Sequence, residues 1–195
     1  MHDQILNEVI QIISRRFDLQ NNLQLSDFQN EAIKEILKKL HNKTFKAEGV
    51  SIVAETGTGK TLAYQLPLIL WILHRKLEYY KKQKDADKKL YPFTSALLIF
   101  PRNVLAKDQY DAFKTLAEEA NNVISNSPLT SNDSELADFL KIKVQNDYGG
   151  TNIPKKKEIY WYEKPDVIVT NTATLKRRLY DPMTHKLYQR GIDLV

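Results

Sequence analysis

The run Ala54-Glu55-Thr56-Gly57-Thr58-Gly59-Lys60-Thr61 has the residue types and spacing needed to grip a polyphosphate. Gly57 and Gly59 let the backbone turn tightly enough to aim successive N–H groups at phosphate oxygens. The positive end of a following helix would add to the attraction. Lys60 would reach the β- and γ-phosphates, and the Thr61 hydroxyl would help to hold Mg²⁺. The nucleotide-contacting run is therefore Glu55, Thr56, Gly57, Thr58, Gly59, Lys60, Thr61 and Leu62, with Lys60 and Thr61 closest to the chemistry and Thr61 at the metal. Ala54 stands where the strict pattern has its first glycine. Taken alone, the loop leaves kinases, GTPases, transporters and helicases open.

Such a loop works only between a strand and a helix, and the flanks predict both. Val50 to Ala54 reads as a short buried strand, and a helix runs from Thr61 into the apolar stretch Leu66 to Leu73. Pro67 inside that helix is a local conflict, because it removes a backbone hydrogen bond. Upstream, apolar residues at helical spacing predict amphipathic helices over Met1 to Phe17 and from Asp27 to Leu40, the second capped at Ser26 or Asp27. Downstream, Ala96 to Phe100, Ile142 to Gln145, Val167 to Thr170 and Ile192 to Val195 read as strands. Helices are predicted over Leu105 to Glu119, Glu135 to Leu140 and Thr172 to Tyr180, with loops at Asn121 to Ser134 and at Gly149–Gly150. Short apolar strands alternating with helices indicate an α/β domain with a mainly parallel sheet.

The 195 residues, 42% hydrophobic and 27% charged, suit one globular domain rather than a disordered chain. No cysteine is present, so disulfides, thiolate chemistry and cysteine-type zinc sites are excluded. The histidines His2, His41, His74 and His185 lack metal-ligand spacing. The first residues lack a secretory pattern and Leu66–Leu73 is too short for a membrane helix, so a cytoplasmic or nuclear location is expected, with no membrane partner. The charged stretch His74 to Lys89 reads as a helix end and a solvated loop. Residues 1–139 carry 18 basic and 18 acidic side chains, whereas residues 140–195 carry 11 and 6, so the net +5 sits in the last quarter. A basic end on a neutral body points to a polyanionic partner there.

Four further segments narrow the choice, and with them the chain resembles the superfamily 2 helicases of DEAD/DEAH-box type. Residues 54–61 look like their motif I, in which a first alanine and a proline in the next helix are ordinary. Leu25 to Ile33 (LSDFQNEAI) resembles the Q motif, with Gln29, 31 residues before Lys60, as the adenine reader. A glutamine amide accepts from the adenine amino group and donates to a ring nitrogen, a pattern guanine does not match. Phe100 to Gln109 (FPRNVLAKDQ) is similar to motif Ia, usually P-T-[RK]-x-L-A-x-Q, with Arg102 and Asn103 as departures. Tyr148-Gly149-Gly150-Thr151 looks like the family's glycine doublet, and Pro165 to Leu175 (PDVIVTNTATL) resembles motif Ib.

The resemblance implies a RecA-like fold over 25–195, truncated before the Walker B strand, with residues 1–24 as a helical extension. It implies ATP and Mg²⁺ as cofactors, single-stranded DNA or RNA as partner, and a second RecA-like domain elsewhere in the helicase chain. Nucleic-acid contacts fall on Pro101, Arg102, Asn103, Gly149, Gly150, Thr170, Asn171 and Thr172, at the carboxyl ends of strands where open α/β sheets bind ligands. The family's D-E-x-H or D-E-x-D carboxylates are not in these 195 residues, so this chain alone is expected not to hydrolyse ATP. Two other readings stand beside the helicase: another P-loop enzyme such as a nucleotide kinase or GTPase, although no N-K-x-D motif is present, and a non-catalytic nucleic-acid-binding module with a relic loop.

Overall fold

The computed structural model describes residues 25–41, 49–82, 94–128, 130–131, 133–149, 165–181 and 192. The expected helix at Met1–Phe17, the charged stretch beyond Lys82, Gly150, and the last strand apart from Ile192 lie outside them. The chain divides into two compact units, Met1–Arg75 and Lys76–Val195.

In the first unit, helix α1 (Asp27–His41) and the front of helix α2 (Lys60–Lys82) form where helical periodicity predicts them. Asp27 in the first turn of α1 and Lys38, Lys39 and His41 in the last oppose the helix dipole favourably. Ile33 and Ile36 are its buried residues, and the His41 ring meets Trp71 of α2 edge-on at 5.3 Å. From Leu66 to Leu73 every residue of α2 is buried, so the helix is covered on all sides. That burial explains why α2 runs through Pro67 rather than ending there. Local propensity is overridden by packing.

Residues 50–54 differ from expectation. The segment is not a strand and pairs with nothing among the described residues. Its period-two pattern survives: Ile52 and Ala54 are half-buried, whereas Val53 is 85% exposed. Alternation sets which side chains face inward, but a strand also needs a neighbour to bond.

In the second unit, strands β1 (Ala96–Phe100), β2 (Val144–Asp147) and β3 (Val167–Asn171) form a parallel sheet in the order β1-β3-β2. All five residues of β3 are buried, as befits the central strand of a parallel sheet. Helix α3 (Asn103–Asn126) packs on the sheet through Ala106, Phe113, Leu116, Ala117, Ala120 and Ile124. It is longer than predicted and takes up the front of the expected loop at 121–134. Helix α4 (Ser134–Leu140) starts at Asp133, whose carboxylate accepts from the Leu136 N–H at 2.8 Å. Helix α5 (Thr172–Tyr180) lies against β3 and β1, and Leu175 joins Ile99 and Ile192 around buried Leu97 and Ile168.

The amino-terminal edge of the sheet is fixed by a buried ion pair. Lys76 Nζ donates to Asp166 Oδ2 at 2.8 Å and to the Lys141 carbonyl at 2.6 Å. The same Asp166 oxygen accepts from the Lys143 N–H at 2.8 Å, so the end of α2 is tied to both the entry of β2 and that of β3. Tyr79 stacks on Phe139 at 6.3 Å, and the Tyr80 hydroxyl donates to Asp133 at 3.3 Å.

Candidate nucleotide and nucleic-acid sites

The loop before α2 has the geometry of an anion cradle. Gly57 and Gly59 adopt φ of +87° and +80°, a region that side-chain-bearing residues rarely enter. The backbone N–H groups of Thr56, Gly57, Thr58 and Gly59 donate to no protein acceptor among the described residues, and residues 55–58 are exposed. Lys60 stands at the first turn of α2. Its ammonium donates to the Ala54 carbonyl at 2.6 Å and to that of Glu55, which holds it within the curve of the loop. The Thr58 hydroxyl closes the loop by donating to the Glu55 carbonyl at 2.9 Å. Thr61 and Leu62 follow, half-buried, and the Thr61 hydroxyl has no protein hydrogen bond among the described residues. That free hydroxyl beside the amide cradle fits Mg²⁺ on a phosphate.

Gln29 is tied to the same loop. Ser26 and Gln29 form a reciprocal cap at the start of α1: the Gln29 N–H donates to Ser26 Oγ at 3.3 Å, and Gln29 Oε1 accepts from the Ser26 N–H at 2.9 Å. Gln29 Nε2 then donates to the Gly59 carbonyl at 3.2 Å. This network also sets the amide orientation, since the reverse would face oxygen to oxygen and N–H to N–H. One N–H and one lone pair of the amide stay unused, the donor–acceptor pair an adenine edge requires. The packing is close: a Cβ on Gly59 would lie 2.3 Å from Gln29 Nε2. The S-x-x-Q spacing was readable in the sequence, but its bond to the loop was not.

In the second unit the register of the parallel sheet aligns the strand ends. Phe100 is opposite Asn171, and Asp147 is opposite Thr170. The turns after β1, β2 and β3 therefore emerge along one edge, and three of the predicted residues meet there. The Asn171 amide donates to Asn103 Oδ1. A Cβ on Gly149 would lie 3.0 Å from Asn103 Nδ2, so glycine is what lets that turn approach. Asn171 also caps α5, its Oδ1 accepting from the Thr174 N–H at 2.6 Å. Pro101, Arg102, Asn103 and Thr172 are exposed. Arg102 is the first cap of α3 yet makes no side-chain capping bond, which leaves that helix start open.

Thr170 is different. It is fully buried and its hydroxyl donates to the Asp147 carbonyl at 2.5 Å, which suits it to holding the strand ends together. Asp147 went unnoticed in the sequence. Its carboxylate is gripped by Arg178 through Nε at 3.0 Å and Nη2 at 2.9 Å, a bidentate fork between the end of β2 and α5. Nothing in the spacing of Asp147 and Arg178, 31 residues apart, signals the pair. Of the three basic residues on α5, Lys176 and Arg177 are exposed while Arg178 is committed to Asp147.

The family model for the DEAD/DEAH box helicase matches residues 26–191. The chain belongs to the DEAD/DEAH box helicase family. It is also similar to the ATP-dependent RNA helicase dbp-9 of Neurospora crassa, 37% identical over 82 residues. That match covers 42% of this chain and only 11% of the relative's length. Like the family it belongs to, the chain has an α/β architecture, with a parallel sheet flanked by helices. Asn103, where the resemblance leads one to expect a basic residue, instead ties the turn after β1 to the end of β3 through the Asn171 amide. Among the described residues no helix is long and apolar enough to cross a membrane, and no three acidic, histidine or cysteine side chains group as a metal site.

Proposed function

We propose that the intact protein is an ATP-dependent DNA or RNA helicase or translocase, in which this chain binds ATP–Mg²⁺ and one strand's backbone. The observation that carries the nucleotide half is the cradle of amides at Thr56–Gly59, unpaired among the described residues, built on two left-handed glycines and tied to Gln29 through the Gly59 carbonyl. Phosphate oxygens would take the cradle amides and compete with the Ala54 and Glu55 carbonyls for Lys60, while Thr61 would hold Mg²⁺. When bound, the metal supplies charge neutralisation on the β- and γ-phosphates. The spare donor and acceptor of Gln29 would read adenine.

The nucleic-acid half rests on the edge where motifs Ia and Ib and the first glycine of the doublet come together. The open start of α3, the exposed Arg102 and the amide donors of Asn103 suit the phosphates of a tracked strand. Contacts of this kind carry little sequence preference and weaken with salt. Such a protein would work in the cytoplasm or, in a eukaryote, the nucleus.

Equilibrium titration of the full-length protein with fluorescent ATP and GTP analogues tests this reading. ATP is expected to bind at least tenfold tighter, one or two hydrogen bonds' worth of discrimination. Equal affinity for the two nucleotides would remove Gln29 from the adenine site.

A further inference from the structure

Helix α5 carries an exposed stripe that the backbone-tracking reading leaves unused. Ala173, Lys176, Arg177 and Tyr180 stand at i, i+3, i+4 and i+7, one face of the helix, and all four are exposed. Tyr180 is 80% exposed, unusual for an aromatic side chain at the end of a packed helix. The opposite face is fixed: Thr174 is buried, Leu175 packs on the sheet cluster, and Arg178 is forked to Asp147. The stripe starts at the turn that Asn171 caps and runs about 10 Å along the helix. It therefore continues outward from the strand-binding edge with two cations and then an aromatic ring.

We infer that this stripe is a stacking platform for a nucleobase of a single strand: Lys176 and Arg177 take phosphates and the Tyr180 ring takes a base face. The occupant follows from chemistry. Two exposed cations select a polyanion, and an aromatic ring beside them adds affinity only for a polyanion with flat apolar faces, which an unpaired nucleic acid offers and a duplex hides. The Asp147–Arg178 fork and the Asn171 cap hold both ends of α5, so little backbone ordering remains to oppose binding. The inference rests on the proposed function and adds base contact to a reading that otherwise has only backbone contact.

Fluorescence anisotropy on the full-length protein tests it, using a labelled oligothymidylate and an abasic strand of equal length. Tyr180→Ala is expected to weaken oligothymidylate binding about tenfold and to leave abasic-strand binding as it was. Tyr180→Phe keeps the ring and should bind as the unaltered protein does, which separates stacking from any loss of folding. Replacing Lys176 and Arg177 together by glutamine should reduce the salt slope by ~1.4, about 0.7 per lost phosphate contact on a single strand. If Tyr180→Ala binds both strands like the unaltered protein, the platform is wrong and the tracking edge stands; a protein partner on α5 would give that result. If the unaltered protein binds neither strand, the proposed function fails as well.

Discussion

Gln29 shows how one side chain can serve a helix and a ligand loop together. Its oxygen caps α1 through Ser26 and its amide nitrogen holds the Gly59 carbonyl. Gln29→Glu separates the two jobs, because glutamate caps a helix equally well but cannot donate to a carbonyl. We expect unchanged helix content by circular dichroism and about tenfold weaker ATP binding by titration. Gly59→Ala acts at the same contact from the other side. A Cβ there meets the Gln29 amide and the residue must still hold φ near +80°. A loss of ~1–2 kcal/mol from the backbone alone is expected, read as a lower melting temperature together with lost ATP binding. Gly57 and Gly59 were legible in the sequence because a turn this tight at a helix start demands residues that tolerate positive φ. The Gln29–Gly59 bond was not, since it joins residues 30 apart whose meeting depends on how α1 and the loop pack.

The elements of the second unit are fastened at both ends of the sheet by buried charge pairs, and neither was visible beforehand. At the carboxyl edge, Arg178 clasps the nearly inaccessible Asp147. Arg178→Ala would strand that carboxylate, and a loss of about 3–5 kcal/mol by denaturant unfolding is expected, largely recovered in the double variant with Asp147→Asn. At the amino edge, burial pulls the Lys76 ammonium below the usual lysine range and pushes the Asp166 carboxyl up, each partly offset by the other's charge. Lys76→Met should cost a similar ~3–5 kcal/mol, while Lys76→Met with Asp166→Asn should recover most of it, because asparagine still accepts the Lys143 N–H. The strands β1 and β3 and the helices α1 and α5 were predicted nearly to the residue, since apolar runs and caps act locally. The ends of α3 and β2 shifted because packing on the sheet, not propensity, sets where each stops.

At the scale of the whole molecule, two units carry two separable halves of the proposed work. Lys60→Ala should therefore abolish the response of strand binding to ATP while leaving nucleotide-free strand binding and its salt slope unchanged, as read by anisotropy across a salt series. Strand binding unchanged by ATP even in the unaltered full-length protein would favour a binding module with a relic loop. The excess of basic over acidic residues in 140–195 is smaller in effect than the count suggests, because Arg178, counted in that excess, is spent on a carboxylate. By itself the sequence determined the α/β class, the family and the glycine turn before α2, because each rests on residue type within a few positions. Only the tertiary structure decided that Asn103, Gly149 and Asn171 meet, that Thr170 is internal, that residues 50–54 pair with no strand among the described residues and that Tyr180 faces outward. Those depend on the register of parallel strands and on burial, which bring distant residues together and leave no local trace.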